Sequence, residues 1–247
     1  MARQVRSEAT RRKILDAAID VFGEVGYAAA GWNTIIERTG MTKGALYHHF
    51  DSKESLASVI IEEGADALLA AFRNVCGSSS PALENMIHGT FTIASVLRSD
   101  KRARAAEQLA AALGGFNEAA ARFSAGLVEL MTAQAQRAST EGDVRQDLDP
   151  VVISESIVGA MFGMRLVSNV IANKGLTGDG VDLAARTGQM WELLLAGVVT
   201  EASLPYFRQF LAREALRHAR PAASATDTAV APKATRRSRT PRAVNSS

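Results

Sequence analysis

Apolar residues recur at three- and four-residue steps along most of the first 220 residues, the period of helices that bury one face. Ile14, Ala18, Val21, Phe22 and Val25 predict a first helix over 7–25, with Ser7 as its cap and Gly26 as its stop. A connector follows over 27–32. Gly31 there is an acceptable N-cap that offers no side-chain oxygen, and Trp32 is expected to pack into a small core. The stretch 34–53, TIIERTGMTKGALYHHFDSK, then reads as a short helix, a tight turn, a second short helix and the cap of a third. Gly40 can take a positive φ and stop the first of these. Thr42 is a good N-cap for the second. Leu46 and Phe50 lie four apart and can share a buried face, while Lys43, Tyr47 and His48 project away from it. Asp51 and Glu54 have the spacing of a capping box.

The remaining pattern predicts a larger helical body. Leu56, Val59, Ile60, Leu68, Leu69 and Phe72 mark a helix over 54–75, which links the first unit to the rest. A Cys-Gly-Ser-Ser-Ser-Pro break at 76–81 ends it. Helices follow over 81–98, 104–113 and 116–141, with a polar connector at 99–104 and glycines at 114–115. The turn DVRQDLDP at 143–150 places Asp149 as a cap with Pro150 at the first helical position, which is a simpler reading of its carboxylates than acid/base chemistry. The helices over 150–173 and 181–200 are apolar and joined by a Gly-rich loop at 174–180. They predict an antiparallel hairpin, and two such hairpins from two copies would close a four-helix bundle. A last amphipathic helix spans 204–220. The tail 221–247 is rich in Ala, Ser, Thr and Pro, cannot bury a core, and is expected to be disordered. The fold class is thus all-α: a three-helix head at 1–53, a helical body at 54–220 and a basic tail at 221–247.

Charge changes the picture. The net +2 is divided as +2 in the head, −4 in the body and +4 in the tail. Basic ends can meet phosphate, and an acidic body argues against the whole molecule lying on DNA. Arg3 and Arg6 sit on a terminal arm that can follow a DNA backbone or enter a minor groove; a solvated terminus explains them equally well. The tail's basic residues can add non-specific DNA affinity or only solubility. The single cysteine, Cys76, excludes an internal disulfide framework and reads as a small residue at a helix end. No signal peptide and no bilayer-spanning stretch are expected. No P-loop, Ser/His/Asp order, carboxylate pair or metal-ligand spacing stands out, so neither an enzyme nor a cofactor is expected. His48 and His49 are adjacent and point to different helix faces, which argues against a metal site.

A short, polar-tipped helix held by a turn on a small apolar base is what major-groove entry requires. The residues TKGALYHHF-x-SKE resemble the recognition-helix signature of the TetR family of bacterial regulators. MARQ-x-R, TKGALY-x-HF and DVRQDLD are similar to the γ-butyrolactone autoregulator receptors, the A-factor-receptor branch of that family. The resemblance implies DNA contacts at Thr42, Lys43, Gly44, Tyr47 and His48, with Lys53 on a flanking phosphate. The side chains suit these roles: hydroxyls and charge for phosphates, and a small Gly44 for close backbone approach. The resemblance also implies a small-molecule pocket in the body, whose candidate lining residues are Phe91, Leu109, Phe116, Phe123 and Met161. One departure stands out. The branch carries a Trp near the start of the long helix before DVRQDLD, where Phe123 or Leu127 is nearest here.

A recognition helix of about seven residues offers few base contacts, so two copies on a symmetric dimer would be needed to read a palindrome. The expectation is a cytoplasmic, homodimeric repressor of double-stranded DNA, released by a small lipophilic effector. The alternative is a ligand-independent regulator or activator of the same fold.

Overall fold

The structure is a computed structural model that describes residues 2–77, 81–173 and 182–219. Ten helices occur among these residues: α1 Ala2–Ala29, α2 Trp32–Thr39, α3 Lys43–His49, α4 Lys53–Cys76, α5 Ala82–Ser99, α6 Lys101–Leu113, α7 Glu118–Thr140, α8 Pro150–Asn173, α9 Leu183–Val198 and α10 Leu204–His218. The only β-type pairing among them is an isolated bridge between Val144 and Val199. The Gly-rich loop at 174–180 and the tail at 221–247 lie outside the described residues.

The head is built from α1, α2 and α3, with the start of α4 beneath them. Ile14, Leu15, Ala18, Val21 and Phe22 of α1 meet Ile35, Leu46 and Phe50 in one buried cluster. The chain is helical from Ala2, so the described part of the N-terminal arm, 2–6, belongs to α1. The long helix stops at Gly26 as expected, with φ 76° and ψ 162°, and a separate short turn continues to Ala29 beyond this kink. Only a residue without Cβ adopts that conformation without strain. The cap of α4 also differs. Ser52, not Asp51, is the N-cap, and Ser52 and Ser55 exchange side-chain to backbone hydrogen bonds in a capping box.

In the body α5, α6 and α7 pack against α4, while α8 packs on α7 and α9, and α9 and α10 pack on α5. Asp100 caps α6 and accepts from the Arg102 and Ala103 amides, so that helix begins within the stretch expected to be a connector. Asn117 caps α7 in the same way, and its amide also donates to Ser58 on α4 at 2.8 Å. The turn before α8 follows expectation: the Asp149 carboxylate accepts from the Val151 amide, with Pro150 at the helix start. That turn is fastened to the end of α9, because the Arg145 amide donates to the Val198 carbonyl and the Thr200 amide to the Asp143 carbonyl. Trp191 of α9 is fully buried, and its indole N–H donates to Thr90 of α5 at 2.8 Å.

Helix α8 corrects the expectation that no stretch could cross a bilayer. Pro150–Ser168 is long and apolar enough by length and composition, and 33% of it is buried in the chain. Its charged residues are few, and one, Arg165, turns inward to a largely buried ion pair with Glu107 of α6 at 2.9 Å. Helix α8 packs on α7 and α9, while Val151, Val152, Leu166 and Val167 stay exposed.

Thr90→Val keeps the shape of the core but leaves the Trp191 N–H without its acceptor. It should lower the unfolding free energy by about 1–3 kcal/mol in a denaturant titration. Unchanged stability would mean that this hydrogen bond does not hold α9 to α5.

Candidate nucleic-acid interface and body clefts

The turn between α2 and α3 sets the angle at which α3 is presented. Gly40 takes φ 65°, and its amide donates to the Glu37 carbonyl, closing α2. The Thr39 hydroxyl donates to the Ile36 carbonyl and accepts from the Met41 amide, which locks the turn. Helix α2 is held against α1 by Arg38, whose two terminal nitrogens each donate to a Glu24 oxygen at 2.7 Å. That hydrogen bonding draws the Glu24 carboxyl below its ordinary pKa.

Leu46 and Phe50 anchor α3 from below. Thr42 caps the helix, accepting from the Ala45 amide. Thr42, Lys43, Gly44, Tyr47 and His48 are all exposed on the opposite side. Tyr47 leans edge-on to Trp32 with ring centres 5.6 Å apart, and the Lys43 ammonium lies 5.7 Å from the Tyr47 ring centre. Trp32 is partly buried against the core, as expected. A Cβ added at Gly44 would meet no atom of the protein, so the fold itself does not require glycine there. Arg6 is exposed on α1, and the side chain of Arg3 lies outside what is described.

Lys53 departs from its expected place on a flanking phosphate. Its ammonium donates to the carbonyls of Tyr27 and Ala30, at 2.8 and 3.0 Å, and sits 4.4 Å from the Tyr27 ring centre. The end of a helix leaves carbonyls without intrahelical partners. Lys53 satisfies two of them and fastens the α1–α2 connector to the first turn of α4.

The head meets the body on one side. Lys101 and Arg102, in the first turn of α6, pair with Asp20 and Asp16 of α1 at 2.7 and 2.9 Å. Arg11 of α1 pairs with Glu63 of α4 at 3.1 Å.

Residues 14–68 match the family model of the bacterial regulatory proteins of the tetR family, and residues 80–200 that of the tetracyclin repressor-like C-terminal domain. The A-factor receptor protein of Streptomyces griseus is 30% identical over 198 residues, which cover 80% of this chain and 67% of that protein. This chain belongs to the TetR family. It is a DNA-binding transcriptional regulator, and the family is one of regulators, not enzymes. A solved gamma-butyrolactone receptor superposes with a TM-score of 0.68 at 27% identity, covering 86% of this chain and 99% of that one. The TetR-family protein CprB from Streptomyces coelicolor, solved with its operator sequence, gives a TM-score of 0.68 at 28% identity with the same coverage.

The five expected effector residues of this TetR-family body do not share a site. Phe91 is fully buried and stacks on His218. Phe123 meets Phe162 edge-on. Met161 borders a cavity of only about 10 Å³. Leu109 borders a groove beneath the end of α1. Phe116 is a clear correction: it is 67% exposed, because the turn between α6 and α7 projects it outward. Larger clefts lie elsewhere. One of about 660 Å³ runs between α4, α5 and α10, with Glu84, Asn85, His88, Thr92 and Arg217 along it. Another of about 570 Å³ is apolar and lies on α8 and α9, along Ala160, Met164, Val167, Leu193 and Leu194. The structure also groups His88, Glu214 and His218, although no metal-ligand spacing was expected. The signal was half present, since Glu214 and His218 stand four apart on a helix; His88 is 126 residues away from Glu214 and joins them only in the fold. Cys76 ends α4 as expected, and burial pushes its thiol pKa up to about 11.

Lys53→Gln separates the two places for that side chain. It should lower the stability of the protein by about 1–3 kcal/mol and leave the salt dependence of DNA binding unchanged. Full stability together with a shallower salt slope would put Lys53 back on a phosphate.

Proposed function

We propose that this TetR-family regulator is a homodimeric repressor that reads a palindromic operator through α3 and is released by a small lipophilic effector. The observation that carries the DNA half of this reading is the exposed row Thr42, Lys43, Gly44, Tyr47 and His48 on a helix anchored by Leu46 and Phe50. Lys43 supplies charge to phosphate, and the Thr42 and Tyr47 hydroxyls can bond phosphate oxygens. Gly44 lets the helix backbone come close to the duplex. Arg6 is exposed one turn inside α1, and its charge would extend the contact along the DNA backbone.

The dimer half rests on α8 and α9. Leu193 is 83% exposed, Val152 57% and Val167 56%, on two adjacent helices with an apolar cleft between them. A second copy of the same hairpin would bury this face as a four-helix bundle. It would also bury the exposed side of α8, which fits a regulator working in the cytoplasm, on the nucleoid. The superposition on gamma-butyrolactone receptors over nearly their whole length supports an effector of that kind. The scatter of the five expected lining residues favours the second reading, a regulator of this fold that acts without an effector or as an activator. An organic extract of the producing culture distinguishes them: it should strip the protein from operator DNA on the first reading and leave it bound on the second.

Three variants check the DNA and dimer claims by fluorescence anisotropy on a duplex from the gene's own upstream region. Lys43→Ala should weaken binding and reduce the salt slope by about one. Gly44→Ala should weaken binding while keeping or raising thermal stability, since helical alanine is favoured by about 1 kcal/mol over glycine. Leu193→Glu should give a monomer in sedimentation and lose cooperative operator binding. Wild-type affinity in both head variants would place the reading surface elsewhere, and a dimeric Leu193→Glu would reject the α8–α9 interface.

A further inference from the structure

Helix α10 brings a third chemistry to the body that DNA reading does not use. Glu214 and His218 stand four apart and share a face of α10. His88 arrives opposite them from α5. His88 Nδ1 lies 2.6 Å from Glu214 Oε2, and His218 Nε2 lies 3.6 Å from the same oxygen. The three ligand atoms all fall within 4.8 Å of one another. Glu214 is 1% exposed, and its other oxygen accepts from Arg217. His218 Nε2 is buried without a hydrogen-bond partner, and its ring is held flat against Phe91, centre to centre 5.3 Å.

We propose that His88, Glu214 and His218 form a binding site for a divalent transition ion of the zinc class, which clamps α10 onto α5. Two imidazole nitrogens and one carboxylate oxygen are a ligand set that zinc accepts, with water completing the shell. Bonds of about 2.0–2.2 Å to a tetrahedral ion put neighbouring ligand atoms roughly 3.3 Å apart. The distances of 2.6 and 3.6 Å straddle that figure, so closure around an ion takes only small side-chain movements. The cleft beside His88 and Glu214 has room for the water. Burial, together with His88, Arg217 and Arg98 and against the opposing pull of Glu214, lowers the His218 pKa from its ordinary value. The arginines also oppose a cation, while Glu214 and, across the cleft, Glu84 favour one. Without an ion, the buried Glu214 carboxylate is hydrogen-bonded by His88 on one oxygen and Arg217 on the other.

The test uses the full chain, stripped with chelator and titrated with Zn²⁺ in a calorimeter, with thermal melting alongside. The site predicts one ion per chain and a higher melting temperature with zinc. Both should persist in His48→Ala/His49→Ala, which removes the other two histidines of the chain. His88→Ala and His218→Ala should each weaken binding by about tenfold or more and lose the melting shift. Failure of the wild-type protein to bind zinc would overturn the proposal without reference to any variant, leaving the hydrogen bonds of His88 and Arg217 to Glu214 as a purely structural contact. Equal binding by wild type and both single-histidine variants would overturn it as well. Glu214→Gln, melted in chelator, separates loss of the ion from loss of the fold.

Discussion

The close passage of α4 over α6 is the constraint on which the arrangement of head and body depends. A Cβ at Gly64 would stand 2.4 Å from the Ala106 Cβ and 2.8 Å from the Arg102 carbonyl oxygen, so no side chain fits between these helices. Helix α4 enters the head at Lys53, and α6 reaches it through Lys101 and Arg102. Both connections start from the same tight crossing. A second close contact lies on the next neighbour of α4, where Gly89 of α5 faces the Phe72 ring at 2.4 Å from a built Cβ. Packed interfaces of this kind shift between discrete arrangements instead of deforming smoothly. A ligand that changes the seating of α4 in the body therefore changes the position of α3, provided it binds the two seatings with different affinity.

In the head, the proposed reading surface is held in place by residues beside and beneath it. Gly40 and Thr39 set the turn, Arg38 ties α2 to Glu24, and Lys53 closes the connector. Each satisfies backbone or charge that would otherwise be loose at the ends of short helices. The exposed row on α3 owes its position to them. The ion pairs between α1 and α6 are exposed and individually weak. Their contribution is orientation: two acidic residues one turn apart on α1 meet two adjacent basic residues at the start of α6.

Most of this was legible along the chain. The period of Ile14, Ala18, Val21 and Phe22 located α1, and Leu46 with Phe50 separated the buried and exposed sides of α3. Asp149-Pro150 located the start of α8, and glycine located the α2–α3 turn. What escaped were long-range events with no local mark. Lys53 looks like any basic residue beside a recognition helix until the Tyr27 and Ala30 carbonyls are seen above it. Ser52 and Ser55 outcompeted Asp51 and Glu54 as a capping box, a choice made by one residue of register. Phe91, Phe123 and Met161 are core residues whose apolar character suits a pocket equally well, and Phe116 was exposed by the turn at Gly114–Gly115. His88 met Glu214 and His218 through tertiary packing alone.

The central claim is that two copies of α3, held by one rigid dimeric body, must fall on one face of the duplex. The most direct test takes the operator recovered by selection from random duplexes and inserts base pairs between its half-sites. The account predicts that five added pairs, about half a helical turn, abolish tight binding, and that ten do so too, because a fixed head separation cannot follow half-sites moved about 34 Å further apart. Binding that is indifferent to the five-pair insertion would contradict it, because the heads would then be reading independently.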